Sequence, residues 1–158
     1  MIIKKFSLKN IDGTRSFAKV FSSLLRAGDI ITLIGDLGAG KTELCRSIIH
    51  ALGYEEDVPS PTFSLLQIYE PPVDDMITPA VWHTDLYRIE SPEEVYELGL
   101  DEGFDSAITL IEWPDRMGDL LPVDHLRIEL SFSDAEGSRE IKIEGGKSWN
   151  ERLKELSL

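Results

Sequence analysis

The clearest chemical pattern in the chain is Gly35-Asp36-Leu37-Gly38-Ala39-Gly40-Lys41-Thr42. It matches G-x-x-x-x-G-K-[ST], the pattern of a phosphate-binding loop. Each part has a physical duty. Gly35, Gly38 and Gly40 allow backbone angles that bend the chain round an anion without Cβ clashes. The loop N–H groups then converge as a nest. The N-terminus of a following helix adds its dipole and unpaired donors. Lys41 offers a full charge to the β- and γ-phosphates, and the Thr42 hydroxyl is a ligand type for Mg²⁺. Asp36, Leu37 and Ala39 complete the nucleotide-binding stretch, and Glu43 adjoins it in the first helical turn.

Such a loop needs a carboxylate near the metal, from the end of another strand. Two acids qualify: Asp85 in "WHTDLYR", and Glu112 at the end of the apolar run "ITLIEW". Spacing does not decide which binds the metal directly and which positions a water. Thr62 in "SPTFS" follows the loop helix on a stretch expected to be extended, and reads equally as a switch threonine that closes on a γ-phosphate and metal or as a loop threonine satisfying its own turn. His83 reads as a packed or hydrogen-bonded histidine, and Cys45 as core. The spacing shows no His/Cys cluster for zinc. Trp113 reads equally as core or as a cover over the nucleotide.

The elements that position these residues follow from hydrophobic period. "DIITLIG" (29–35) and "SAITLIEW" (106–113) are continuous apolar runs, the pattern of central strands buried on both faces. "TELCRSIIHALG" (42–53) and "TRSFAKVFSSLL" (14–25) repeat apolar residues at helical spacing. Thr14 is the expected cap of the latter and Gly28 its stop. Strands are expected at 2–8 and 80–89, an extended entry leading into a strand over 60–72, and a capped helix at 91–100. Alternation over 125–134 and 138–146 predicts a hairpin, and 148–158 a terminal helix. The fold expected is one α/β domain over 1–158. It has a three-layer phosphate-loop NTPase-like architecture, a mixed, mostly parallel sheet and an antiparallel C-terminal hairpin.

Composition bounds the partners. The 158 residues carry 29 acidic and 16 basic side chains, a net charge of −13. A domain that grips nucleic acid by itself shows a basic face, so direct nucleic-acid binding by this chain alone is not expected. No apolar run reaches the ~18–20 residues of a membrane span. The N-terminus lacks the apolar core of a signal peptide. With its single cysteine, the chain reads as cytoplasmic.

Taken together, "GDLGAGKT", "SPTFSL", "HTDLYRI…SPEEVYELGL" and "LIEWPDR" resemble, in order and spacing, the TsaE family (also called YjeE), the small ATPase of bacterial threonylcarbamoyladenosine tRNA modification. The resemblance covers most of residues 10–125. It implies ATP/ADP as the nucleotide, consistent with the lack of an N-K-x-D guanine motif. It implies that Thr42 and Glu112 match the magnesium site, Asp85 an active-site acid and Thr62 the switch-like threonine. It also implies that Trp113 lies beside the site and that Asp12 corresponds to the adenine edge. Glu43 departs from the serine or threonine expected there. The partners implied are the TsaD–TsaB pair, which handles the tRNA; weak self-association stays open. No arginine finger is evident, and Arg88 is expected to be spent on Glu93 or Glu94. A small-molecule kinase of the shikimate-kinase kind is a rival, but the eight arginines are scattered, with none on a lid. A nucleotide-gated adaptor without hydrolysis is the other.

Overall fold

Seven strands form one sheet in the order β1-β7-β6-β2-β5-β4-β3. The computed structural model describes residues 2–157. The strands are β1 (Ile2–Leu8), β2 (Ile30–Ile34), β3 (Leu66–Tyr69), β4 (Val81–Asp85), β5 (Ile108–Glu112), β6 (Leu126–Phe132) and β7 (Arg139–Gly145). β6, β2, β5 and β4 pair in parallel, while β3 joins β4, and β7 joins β6 and β1, antiparallel. Only β3 and β7 therefore run against the rest, and the expected mixed, mostly parallel sheet with its C-terminal hairpin is what forms.

Strand alternation separates two cores. Ile31, Leu33, Ile108, Leu110, Ile128, Leu130, Ile141 and Ile143 face helices α1 (Ile11–Ser22) and α2 (Lys41–Ala51). These helices contribute Phe17, Phe21, Leu44 and Ile48, all buried. The opposite face uses Ile30 and Ile111 against Leu86, Val95, Leu100 and Met117. Helix α3 (Pro92–Glu97) and two 3₁₀ segments, Leu100–Gly103 and Pro114–Leu120, cover it. The layers are helix, sheet, helix. On that second face the hairpin bears ion pairs in place of a helix: Arg127 with Glu129 at 2.9 Å and Lys142 with Glu144 at 2.8 Å. A last helix, α4 (Asn150–Lys154), is tied to the start of β2 by Arg152 and Asp29 at 2.7 Å.

Several boundaries differ from expectation, each for a local reason. α1 starts at Ile11 and is capped by Asn10, whose side chain accepts the Gly13 N–H at 3.0 Å. Thr14 lies inside the first turn, and the helix ends at Ser22, well before Gly28. Apolar period cannot see the polar turn Ile11-Asp12-Gly13, whereas capping needs extended backbone, which Asn10 has. α2 begins at Lys41 and ends at Ala51. The strand expected at 60–72 is confined to β3, because Pro61–Ser64 turns, with the Leu65 N–H donating to Pro61 O at 2.7 Å. β4 stops at Asp85, whose carboxylate accepts the Tyr87 N–H and bends the chain. α3 ends at Glu97, and the terminal helix is a 3₁₀ turn, Lys147–Trp149, followed by the five residues of α4. Leu158, part of the expected helix, lies outside the described residues. The two 3₁₀ segments were not anticipated, since such short tight turns carry no long apolar period.

Candidate functional site

The loop between β2 and α2 is shaped by two glycines in particular. A Cβ on Gly35 would stand 2.6 Å from the Leu130 carbonyl oxygen, so only glycine lets the loop leave β2 this close to β6. Gly40 caps α2 with φ 105°, a left-handed conformation. No side chain caps α2, which leaves the first-turn N–H groups as donors toward the loop. Lys41 is buried, and its ammonium donates to the carbonyls of Gly35 and, at 2.9 Å, Asp36. It also stands 4.6 Å from the Trp113 ring centroid. Burial lowers its pKa, against the opposing pull of Glu112, Asp85 and Asp36. Trp113 itself holds φ 59°, uncommon for a bulky residue, and turns the chain from β5 into the following 3₁₀ segment.

Parallel pairing of β4 and β5 sets Asp85 opposite Glu112 at the same end of the sheet as the loop. Both are buried. The Thr42 hydroxyl lies 2.9 and 3.2 Å from the two Glu112 oxygens. His83 Nε2 lies 2.7 Å from Glu112 Oε2, with the ring fully buried. A carboxylate only accepts, so Nε2 carries the proton, and Nδ1 has no partner among the described residues. Thr62 donates to Asp85 Oδ2 at 3.0 Å, and Ser60 is 2.6 Å from Thr62. The fold thus brings Lys41, Thr42, Thr62, Asp85, Glu112 and Trp113 to one place. The hydroxyl and carboxylate oxygens of Thr42, Glu112 and Asp85 are the donor set of a hard divalent cation, and they fit Mg²⁺.

Other expected residues fall elsewhere. Asp12 is exposed on the first turn of α1, 3.7 Å from Arg15, and no hydrogen bond or ion pair joins it to the loop among the described residues. Glu43 turns to Arg46, which also donates to Val58 O, so its charge is balanced on the helix surface. Leu37 projects from the loop tip, 64% exposed. Arg88 is not spent on Glu93 or Glu94. It stacks 4.3 Å over the Phe63 ring, while Glu94 accepts the N–H groups of Glu90 and Ser91. Cys45, as read, is core. The fold nevertheless places its sulfur, His83 and Glu112 with donor atoms within 4.8 Å of one another, a cluster that spacing did not reveal. Burial first, then Glu112 and Asp85, push the thiol pKa well up, and a protonated thiol is a poor metal ligand.

A groove of about 660 Å³ flanks the loop on the second face of the sheet, lined by Gly35, Asp36, Ala39, Trp113, Leu121 and Phe132 among others. Its lining does not include Thr42, Asp85 or Glu112, so the candidate site rests on the chemistry of that cluster and not on this groove. Sequence reading missed Arg139, whose guanidinium reaches the carbonyls of Ala39 and Gly38 across the hairpin. Its only sequence signal was a basic residue opening an alternating strand.

The sequence model of the family described as "Threonylcarbamoyl adenosine biosynthesis protein TsaE" matches residues 8–141. Similar proteins bear the name tRNA threonylcarbamoyladenosine biosynthesis protein TsaE. One from Rickettsia bellii is 42% identical over 135 residues, 85% of this chain and 90% of that protein. One from Bacillus subtilis is 36% identical over 138 residues, 87% of this chain and 82% of that protein. The crystal structure of Bacillus subtilis YdiB superposes with a TM-score of 0.80 at 28% identity, covering 98% of this chain and 94% of that one.

Proposed function

The chain belongs to the TsaE family, whose members act in tRNA threonylcarbamoyladenosine biosynthesis, and on that premise we propose that it is a Mg²⁺-dependent ATPase serving a TsaD–TsaB-like transferase pair in the cytoplasm. One observation carries this reading. Thr42 and Glu112 are hydrogen-bonded to each other at the mouth of a G-x-x-x-x-G-K-T loop, with Asp85 bonded to Thr62 beside them. Lys41 leaves its loop carbonyls to neutralise the β- and γ-phosphates. Thr42 and Glu112 would hold the metal, with Asp85 as the neighbouring acid. Magnesium, when bound, neutralises developing charge on the phosphate oxygens. His83 keeps the Glu112 carboxylate oriented through its Nε2 proton. Asp85 holds Thr62 through the Thr62 hydroxyl and, with nucleotide bound, would orient a water for attack.

Among the described residues no arginine contacts Thr42, Thr62, Asp85 or Glu112: Arg88 lies over the Phe63 ring, Arg46 is bound to Glu43, and Arg139 holds the Ala39 and Gly38 carbonyls. The lone protein is therefore a slow ATPase, and a partner that packs on the Pro61–Ser64 turn or adds a positive charge speeds it. The test is steady-state phosphate release from the chain alone, with the transferase pair, and with the pair and Thr62→Ala. Stimulation of about tenfold or more, lost in Thr62→Ala with pair binding kept, is the expected result. A high rate for the lone chain and no stimulation would instead favour the small-molecule kinase reading, and binding without any hydrolysis the adaptor.

A further inference from the structure

Arg139 opens β7 within the β1-β7-β6 trio, paired with Leu8 on one side and Phe132 on the other. Its Nε donates to Ala39 O at 3.1 Å, and its NH2 group reaches Gly38 O at 3.4 Å. The guanidinium lies 4.5 Å over the Phe132 ring and donates to Ser138 O at 3.0 Å. Ser138 is fastened in turn to Leu8 O at 3.2 Å. The fork is thus held on two sides by the sheet, at the Phe132 ring and the Ser138 carbonyl, and offers its remaining donors to the loop.

The peptide plane explains what this contact does. In a trans peptide the C=O and the next N–H point in opposite directions. A loop that turns N–H groups inward to an anion turns carbonyls outward, and those carbonyls need donors of their own. Ala39 O, taken by Arg139, fixes the direction of the Gly40 N–H. The Ala39 N–H is held by Asp36 O at 3.0 Å, so Gly38 O and Ala39 O are the outward acceptors of that limb. Lys41 takes Gly35 O and Asp36 O at the other limb. The hairpin touches the loop again where Leu130 O limits Gly35 to a residue without Cβ.

We propose that Arg139 is a positioning residue: from the C-terminal hairpin it braces the outer limb of loop 35–42 and preorganises the loop N–H groups for a polyphosphate. This rests on the nucleotide-binding reading above. A rigid planar fork can hold two neighbouring carbonyls together, which a lysine ammonium on a flexible stem does not do equally well. Preorganisation acts on binding, so its loss appears in affinity and KM, with kcat largely kept.

The full-length chain and its Arg139→Met and Arg139→Lys variants are compared in two ways. Amide hydrogen exchange of residues 36–41, without nucleotide, is expected to quicken by about tenfold in Arg139→Met, while β2 and the C-terminal half of α2 keep their protection. Dissociation constants for Mg–ADP and for inorganic tripolyphosphate with Mg²⁺ are expected to rise together, by about tenfold, with kcat in the presence of the pair changed less than about twofold. Arg139→Lys is expected to recover only part of this, and it serves alone if Arg139→Met fails to fold. Unchanged loop exchange overturns the proposal. So does a loss for ADP but not for tripolyphosphate, which would mean that the guanidinium reads the nucleoside. So does full rescue by Arg139→Lys, which would reduce its role to charge. If the native chain binds neither ligand, the nucleotide reading fails, and loop exchange alone then decides the brace.

Discussion

On the proposed function Lys41 serves two states. Its ammonium is buried on the Gly35 and Asp36 carbonyls and faces Trp113. On the proposed function the same charge meets phosphate. Lys41→Ala is expected to weaken ATP binding by about 2–5 kcal/mol, the range for removing one member of a desolvated charge pair. Isothermal calorimetry checks it, and unchanged affinity would remove the loop from the site. Cys45 supports a prediction about pH. Its native pKa is raised by burial, so the folded state keeps the thiol proton where the unfolded thiol, near 8.5, has lost it. The native state then binds more protons, and stability falls as pH rises past that value. Urea denaturation from pH 7.5 to 10 is expected to show a steeper loss in the native sequence than in Cys45→Ala. The difference between the two isolates the thiol from Lys41, whose lowered pKa acts with the opposite sign. Equal slopes would contradict this account.

At the scale of elements, the cap of α1 matters because this helix carries Phe17 and Phe21 into the larger core. The two rings stack 5.5 Å apart, with Phe6 of β1 5.7 Å from Phe17. Asn10 ends the β1–α1 connection and accepts the Gly13 N–H. Asn10→Ala is expected to cost about 1 kcal/mol of stability, measured by urea unfolding, whereas Thr14→Ser is expected to change little. The opposite ranking would restore Thr14 as the cap. Helix α2 is the contrasting case. It has no side-chain cap, and on the proposed function its N-terminus is where the nucleotide phosphates bind. The missing cap costs the helix stability but leaves donors free for function.

The whole molecule combines a −13 charge with a family role in tRNA modification. Affinity for a polyanion depends on cations that replace its counterions. On this chain many are already paired, as Arg127, Lys142, Arg152 and Lys154 are. The isolated chain is therefore expected not to shift tRNA in a gel at about 100 mM salt, with the shift appearing only when the transferase pair is present. Retention of tRNA by the chain alone would assign it a direct RNA contact. Among the described residues no helix is long and apolar enough to cross a membrane.

Local pattern was enough for the loop 35–42, the two buried central strands, the core helices and the hairpin, because each is written in contiguous residues: a glycine spacing, an apolar run, a period. It also marked Glu112 as a strand-end acid, since a carboxylate closing an apolar run is a local event. What local pattern left open depends on which strands become neighbours. Parallel pairing of β4 with β5 set Asp85 opposite Glu112 and gave Thr42 a bond to Glu112 and Thr62 a bond to Asp85. Packing placed Trp113 against Lys41, where the residues themselves allowed either core or cover. Arg88 went to an aromatic face and left the nearby acids to backbone N–H groups. The contact of Arg139 with the loop joins residues 100 apart. Side-chain partners at such separations are chosen by distance in the folded chain and by the need to satisfy buried polar groups, and neither is encoded in a short window of sequence.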